Sequence, residues 1–92
     1  MRVRWTEAAA RDLTAICDYI QIHNSAESAR RVALRIHESL SSLPQFPHIG
    51  RPGKKNGTRE LVIRGLPFLA IYRVGEEVIE VVRILHAAQR WP

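Results

Sequence analysis

Three short apolar runs, cut apart by glycine-bearing turns, fill the last third of this chain and leave it few folds to choose from. Leu61-Val62-Ile63 stops at Arg64-Gly65, Phe68-Leu69-Ala70-Ile71-Tyr72 gives way to Gly75-Glu76-Glu77, and Val78-Ile79-Glu80-Val81-Val82-Arg83-Ile84-Leu85 closes the set. Short β-branched and aromatic runs with glycine between them predict a meander of antiparallel strands. A small sheet has a face that must be covered, so the rest of the chain has to supply a second layer. The third run also delivers a compact polar tail: Arg83, His86, Gln89, Arg90 and Trp91.

The first half supplies that layer. Arg2 to Trp5 alternates basic and apolar residues, which suits a short strand. Thr6 is placed to cap a helix that carries Glu7 in its positive first turn. Ala9, Leu13, Ile16 and Ile20 then recur at helical spacing with Cys17 beside them, while Arg11, Asp12 and Asp18 fall off that stripe; the helix is expected to reach about His23. Asn24 followed by Glu27 resembles a capping box. A second helix should run to about Ser42, with Ala29, Val32, Ala33, Ile36, Leu40 and Leu43 as its apolar set. Two amphipathic helices joined by so short a link form an antiparallel hairpin. The predicted architecture is α+β: an N-terminal strand, then a helix hairpin packed on a mainly antiparallel sheet that ends in the meander, all in one domain over 1–92.

Between the halves lies PQFPHIGRPGKKNG, Pro44 to Gly57. Its prolines and glycines argue against regular structure. It is long for a connector in so small a domain, which marks it as a candidate for function. Phe46 and Ile49 are expected to pin it to the core, and Arg51, Lys54 and Lys55 make it basic.

Net charge is +5, and every cationic residue except Lys54 and Lys55 is an arginine. Such a domain favours anionic partners, either nucleic acid or an acidic protein segment, and arginine suits forked hydrogen bonding to phosphate or carboxylate. The lone Cys17 cannot form an internal disulfide, the opening MRVRWTEAAARD lacks the apolar core of a secretory signal, and no apolar run approaches bilayer length. A cytoplasmic protein is expected. His23, His37, His48 and His86 are scattered without paired ligand spacing, so neither a metal nor a cofactor is expected.

One constellation stands out chemically. Arg59, Arg73 and Arg83 lie on successive predicted strands, with Tyr72 before Arg73 and His86 three residues after Arg83. Arginines with a histidine could hold a phosphodiester and move a proton, because histidine titrates near neutrality. The same residues read equally well as solvent-side strand positions, a core tyrosine and a strand-end cap.

Several short motifs carry a family resemblance. They are Trp5, Ala8, Asp12-Leu13, Ile16 and Tyr19-Ile20, followed by Pro47, Gly50-Arg51-Pro52 and Arg59-Glu60-Leu61. Pro67, Tyr72-Arg73-Val74, Arg83-Ile84-Leu85-His86, Gln89 and Trp91-Pro92 complete them. In this order over nearly the whole chain, they resemble the RelE/ParE superfamily of toxins from type II toxin–antitoxin modules. The resemblance implies a growth inhibitor neutralised by an antitoxin with an acidic tail, in a hetero-oligomeric complex. RelE-like members cut messenger RNA in the ribosome, and ParE-like members poison DNA gyrase. RelE-like cutters rely on an arginine shortly before the tyrosine of the middle meander strand. Here that run is Phe68-Leu69-Ala70-Ile71, wholly apolar, which favours the ParE-like branch. On that reading there is no catalytic residue, the target is met by Arg83, His86, Gln89 and Trp91, and the antitoxin by Arg11, Arg30, Arg31 and Arg35. On the alternative, ribosome-dependent cleavage of messenger RNA, Arg59, Arg83 and His86 do the chemistry. A non-catalytic nucleic-acid-binding domain is the third class.

Overall fold

A computed structural model describes residues 1–89. Seven elements follow in order: β1 (Arg2–Trp5), α1 (Glu7–His23), α2 (Ala26–Ser41), β2 (Arg51–Pro52), β3 (Arg59–Val62), β4 (Phe68–Val74) and β5 (Val78–His86). The strands form one sheet in the order β1-β5-β4-β3-β2. The expected meander is β3-β4-β5, antiparallel throughout. The first strand joins the last: β1 lies parallel to β5, with Arg2 opposite Val78 and Trp5 opposite Val81. The sheet is therefore mixed, and the helix hairpin covers one face of it.

The β1 alternation works as the pleat requires. Val3 and Trp5 pack into the main core beneath the helices, and Arg4 sits across from Glu80 and pairs with it at 3.2 Å. That core joins Ala9, Ile36, Leu40 and Leu43 to Ile63, Ala70, Tyr72, Ile79, Val81 and Ile84. A second, smaller cluster of Leu69, Ile71 and Leu85 occupies the opposite face, with Val82 against it.

The helices start on hydroxyl caps. The Thr6 oxygen accepts from Ala9 N–H at 3.0 Å, as its sequence position predicts, and its own O–H donates to the Val82 carbonyl at 2.8 Å. The second cap differs from expectation. Asn24 still closes α1, its N–H donating to the Ile20 carbonyl at 2.8 Å, so it cannot also begin α2. The cap is Ser25, in extended backbone, whose oxygen accepts from Ser28 N–H at 3.0 Å. Glu27 pairs with Arg31 at 3.2 Å instead of closing a capping box.

The connecting loop also departs from expectation. It contains the two-residue strand β2, which pairs with β3 at the sheet edge, where Pro52 loses nothing by lacking an N–H. Phe46 and Ile49 do not anchor it: they are 53% and 59% exposed. Hydrogen bonds hold the loop in their place. The Tyr72 hydroxyl donates to the Pro47 carbonyl at 2.8 Å and accepts from Gly50 N–H at 2.9 Å. Arg59 donates to the Gly50 carbonyl at 2.7 Å and to that of His48 at 3.3 Å. Gly50 has to be glycine here, since a Cβ would stand 2.7 Å from the Tyr72 oxygen and 2.8 Å from the Glu60 carbonyl.

Candidate functional site

β5 outruns β1. Trp5 is the last paired residue of β1, so the edge of β5 beyond Val81 has no strand beside it. Side chains cover that edge in turn. Thr6 takes the Val82 carbonyl, the Asp12 carboxylate accepts from Ile84 N–H at 3.0 Å, and the Gln89 side-chain oxygen accepts from His86 N–H at 2.6 Å. The expectation that Asp12 faces away from the packed side of α1 fails for this reason. Its carboxylate is needed at the sheet edge, where it also accepts two hydrogen bonds from Arg83, at 2.6 and 3.0 Å. The pairing shifts at this point: Ile71 faces Arg83 but Tyr72 faces Val81, which leaves Val82 as the extra residue of a bulge. Bulges re-aim neighbouring side chains, and here the arginine reaches the helix. The forked hydrogen bond to Asp12 holds the Arg83 guanidinium pKa above its ordinary value, against the opposing pull of partial burial.

The residues singled out from sequence are thereby spread across the molecule. Arg59 binds loop carbonyls. Arg73 is exposed and sits opposite Glu80, whereas His86 sits opposite Phe68 at the other end of β4. Five residues of strand separate those positions, roughly 17 Å. The Tyr72 ring is wholly buried, with only its hydroxyl at work. The His86 ring meets Phe68 edge-on at 5.7 Å, and its Nδ1 accepts from Ala88 N–H at 3.1 Å, which leaves Nε2 to carry the proton of the neutral ring. Gln89 ties back to His86 at both backbone and side chain. Trp91 lies outside the described residues.

The helix arginines are solvent-facing. Arg11 is 3.7 Å from Glu7, Arg31 pairs with Glu27, Arg35 donates to the Arg64 carbonyl at 3.4 Å, and Arg30 is exposed on the same helix. Arg31 and Arg35 border a recess with Ser28, Val32 and Leu66. Those last three residues also line a larger groove of about 540 Å³. Its walls are Ala15, Ile16, Tyr19 and Ile20 of α1, Val32 of α2, the turn residues Leu66 and Pro67, then Phe68 and His86. This groove was not anticipated. Its signals were the apolar turn Leu66-Pro67-Phe68 and the aromatic Tyr19 beside the packing stripe of α1. Tyr19 is 65% exposed, and Ile22 near it in sequence 77%.

Cys17 is half-buried, and burial followed by the nearby Asp18 charge pushes its thiol pKa up, away from the nucleophilic thiolate. Among the described residues no set of three His, Cys, Asp or Glu side chains is arranged to hold a metal ion, and no helix is long and apolar enough to cross a membrane.

Residues 3–91 match the family described as the ParE toxin of the type II toxin–antitoxin system, parDE. Y4kP of Sinorhizobium fredii is 40% identical over 91 residues, covering 99% of this chain and 93% of that protein. Toxin RelE2 of Caulobacter vibrioides is 41% identical over 88 residues, covering 96% and 97%. Among solved structures, a chain of the chromosomal ParDE system from P. aeruginosa superposes with a TM-score of 0.88 at 34% identity, covering 94% of this chain and 95% of that one. A chain of the RelBE2 toxin–antitoxin complex from Mycobacterium tuberculosis shares the fold, with a TM-score of 0.62 at 23% identity over 92% and 95% of the two chains. With its strand meander, its hairpin groove and these matches over nearly its full length, the chain belongs to the ParE family of type II toxins within the RelE/ParE superfamily.

Proposed function

We propose that this toxin arrests growth by binding DNA gyrase in the cytoplasm, with no bond-making step of its own, and that a cognate antitoxin silences it. The observation that carries the gyrase reading is how the candidate catalytic groups are already used. A ribonuclease needs a base for the 2′-hydroxyl, an acid for the leaving oxygen and a cation on the phosphate. Arg59 is spent on loop carbonyls and Arg83 on Asp12, while His86 faces Phe68 and the apolar groove. Arg83 and Gln89 then serve the target surface by shaping the end of β5, where His86 lies, with Trp91 as the fourth target residue.

Expression of the chain alone is expected to stop bacterial growth, and purified protein to inhibit gyrase supercoiling. His86→Gln keeps an acceptor for Ala88 N–H and is expected to remain as toxic as the parent. Loss of a positioned acid–base group costs about 10²–10⁴-fold in rate, so a nuclease would lose its toxicity in that variant. Codon-positioned cleavage of messenger RNA by the purified protein with ribosomes overturns the gyrase reading.

The antitoxin is read as an amphipathic segment that folds on contact, its apolar side in the hairpin groove and its acidic residues at Arg31 and Arg35. Arg11 and Arg30, exposed on the two helices, complete the arginines read as meeting the antitoxin. Binding to the folded state alone stabilises it by mass action, about 2.7 kcal/mol at one hundred times Kd. The melting temperature is therefore expected to rise on adding antitoxin. Tyr19→Asp, which puts a charge on an exposed groove wall, is expected to abolish that rise without lowering the melting temperature of the free toxin. An unchanged rise in this variant removes the antitoxin from the groove.

A further inference from the structure

The loop between α2 and β3 exposes what such a segment would ordinarily hide. Residues 46–49 form a turn closed by Ile49 N–H donating to the Phe46 carbonyl at 3.2 Å, with Pro47 at its second position. The ends of a turn of this kind lie within about 7 Å of one another. Phe46 and Ile49 are those ends, and both are more than half exposed. They are the apolar knob of this turn, one exposed side chain at each of its ends.

The knob is also held still. Tyr72 and Arg59 send hydrogen bonds into Pro47, His48 and Gly50 from β4 and β3. Holding a loop rigid while leaving its apolar side chains in water contributes nothing to the packing of the free domain. It does lower the entropy lost when the loop meets a partner, and exposed aromatic anchors on pre-formed surfaces are where binding energy concentrates. The next residues set the charge. Lys54 and Lys55 are exposed and no carboxylate occurs in the sequence from Pro44 to Gly57, whereas Arg51 before them is already paired with Glu60 of β3 at 2.9 Å.

We propose that the 46–55 segment extends the target surface from the end of β5, where Lys54 and Gln89 line one recess, and that the target is a protein presenting an apolar hollow edged by carboxylates. This rests on the toxin reading above but not on which protein is poisoned. A nucleic acid would use the lysines and could stack a base on Phe46, but Ile49, with neither a stacking face nor a charge, serves only a protein partner.

The test compares the parent chain with Phe46→Ser/Ile49→Ser, with Lys54→Glu/Lys55→Glu and with Tyr72→Phe, all expressed without antitoxin and checked for folding by circular dichroism. The first two variants alter exposed side chains and should fold as the parent does. Both are expected to lose growth arrest, to weaken binding of purified gyrase by about tenfold or more, and to keep the full melting-temperature rise with antitoxin. Tyr72→Phe, which frees the knob while leaving it intact, should lie between them and the parent. The proposal is overturned if the Phe46/Ile49 variant still arrests growth, or if only the lysine variant fails, which points to nucleic acid. It is overturned equally if either variant loses the antitoxin response, because the loop then belongs to the antitoxin interface. A parent chain that leaves growth untouched removes the toxin reading itself, whereas a parent that arrests growth without binding gyrase removes only the choice of gyrase.

Discussion

Tyr72→Ala is expected to destabilise the fold severely, while Tyr72→Phe keeps the fold and loosens one loop. The ring is completely buried in the main core. Truncating a buried aromatic side chain to alanine typically costs about 3–5 kcal/mol. A domain of this length has a net stability of roughly 5–15 kcal/mol. At about 4–8 °C per kcal/mol, the melting temperature should fall by about 12 °C or more. The phenylalanine variant retains the ring and removes the hydroxyl, so the Gly50 N–H and the Pro47 carbonyl lose their shared partner. Leaving such groups unpaired costs about 1–3 kcal/mol. Amide exchange at Gly50 should then accelerate while exchange in β4 and β5 stays slow. Equal melting temperatures for the two variants would mean that the hydroxyl, not the ring, carries the stability.

Asp12→Ala is expected to be the second most damaging of these substitutions, although the aspartate reads as an ordinary polar position on a helix. It removes the acceptor of the Ile84 N–H and the forked hydrogen bond to Arg83 in one step. About 1–3 kcal/mol of stability is at stake, with the lower part of that range favoured because Arg83 keeps a third of its side-chain surface in water. Arg83→Ala should destabilise less, since Asp12 keeps its backbone bond to Ile84. The double variant should cost less than the sum of the two, as expected for residues that share one interaction. The sign of the Arg83 shift fixes the pH behaviour. A raised pKa on a cationic group stabilises the fold at every pH below its unfolded value, so this contribution is constant through neutrality and fades only in strong alkali. Denaturant midpoints measured at neutral and at mildly alkaline pH should give the same Arg83→Ala difference. Strict additivity of the two single substitutions would show that the two side chains do not act as a pair.

What the sequence disclosed and what it hid follow from the range of each interaction. Helix α1, its Thr6 cap and the three strands of the meander were legible because their signals are local: periodicity, a hydroxyl, a glycine. The parallel pairing of β1 was not, because Arg2 and Val78 meet across nearly the whole chain. Asp12 looked solvent-facing because its partners, Arg83 and Ile84, come from the opposite end of the sequence. The cap of α2 lies one residue beyond its expected place and closes no capping box, since Asn24 and Ser25 are both good caps and only the backbone shows which is still bonded to the preceding helix. Phe46 and Ile49 were assigned to the core because apolar residues in a proline-rich loop usually anchor it. Here the polar tip of a buried tyrosine does that work and sets them free. Family-level similarity identified the molecule from scattered short motifs. It did not indicate that two of its arginines, Arg59 and Arg83, are committed to loop and helix, nor that a groove opens beneath Tyr19.

The union of the first strand with the last also governs when this molecule can exist during translation. β1 has no neighbour until residues 78–81 have been made, and the central β4–β5 pair is completed just as late. The helix hairpin can form while the ribosome is still reading the message, yet its apolar stripe has nothing to cover until the sheet arrives. Folds dominated by such distant pairings assemble late and slowly. A toxin built this way stays incomplete until its last strand is made, because no partial product carries the finished sheet on which its loop and its groove both depend.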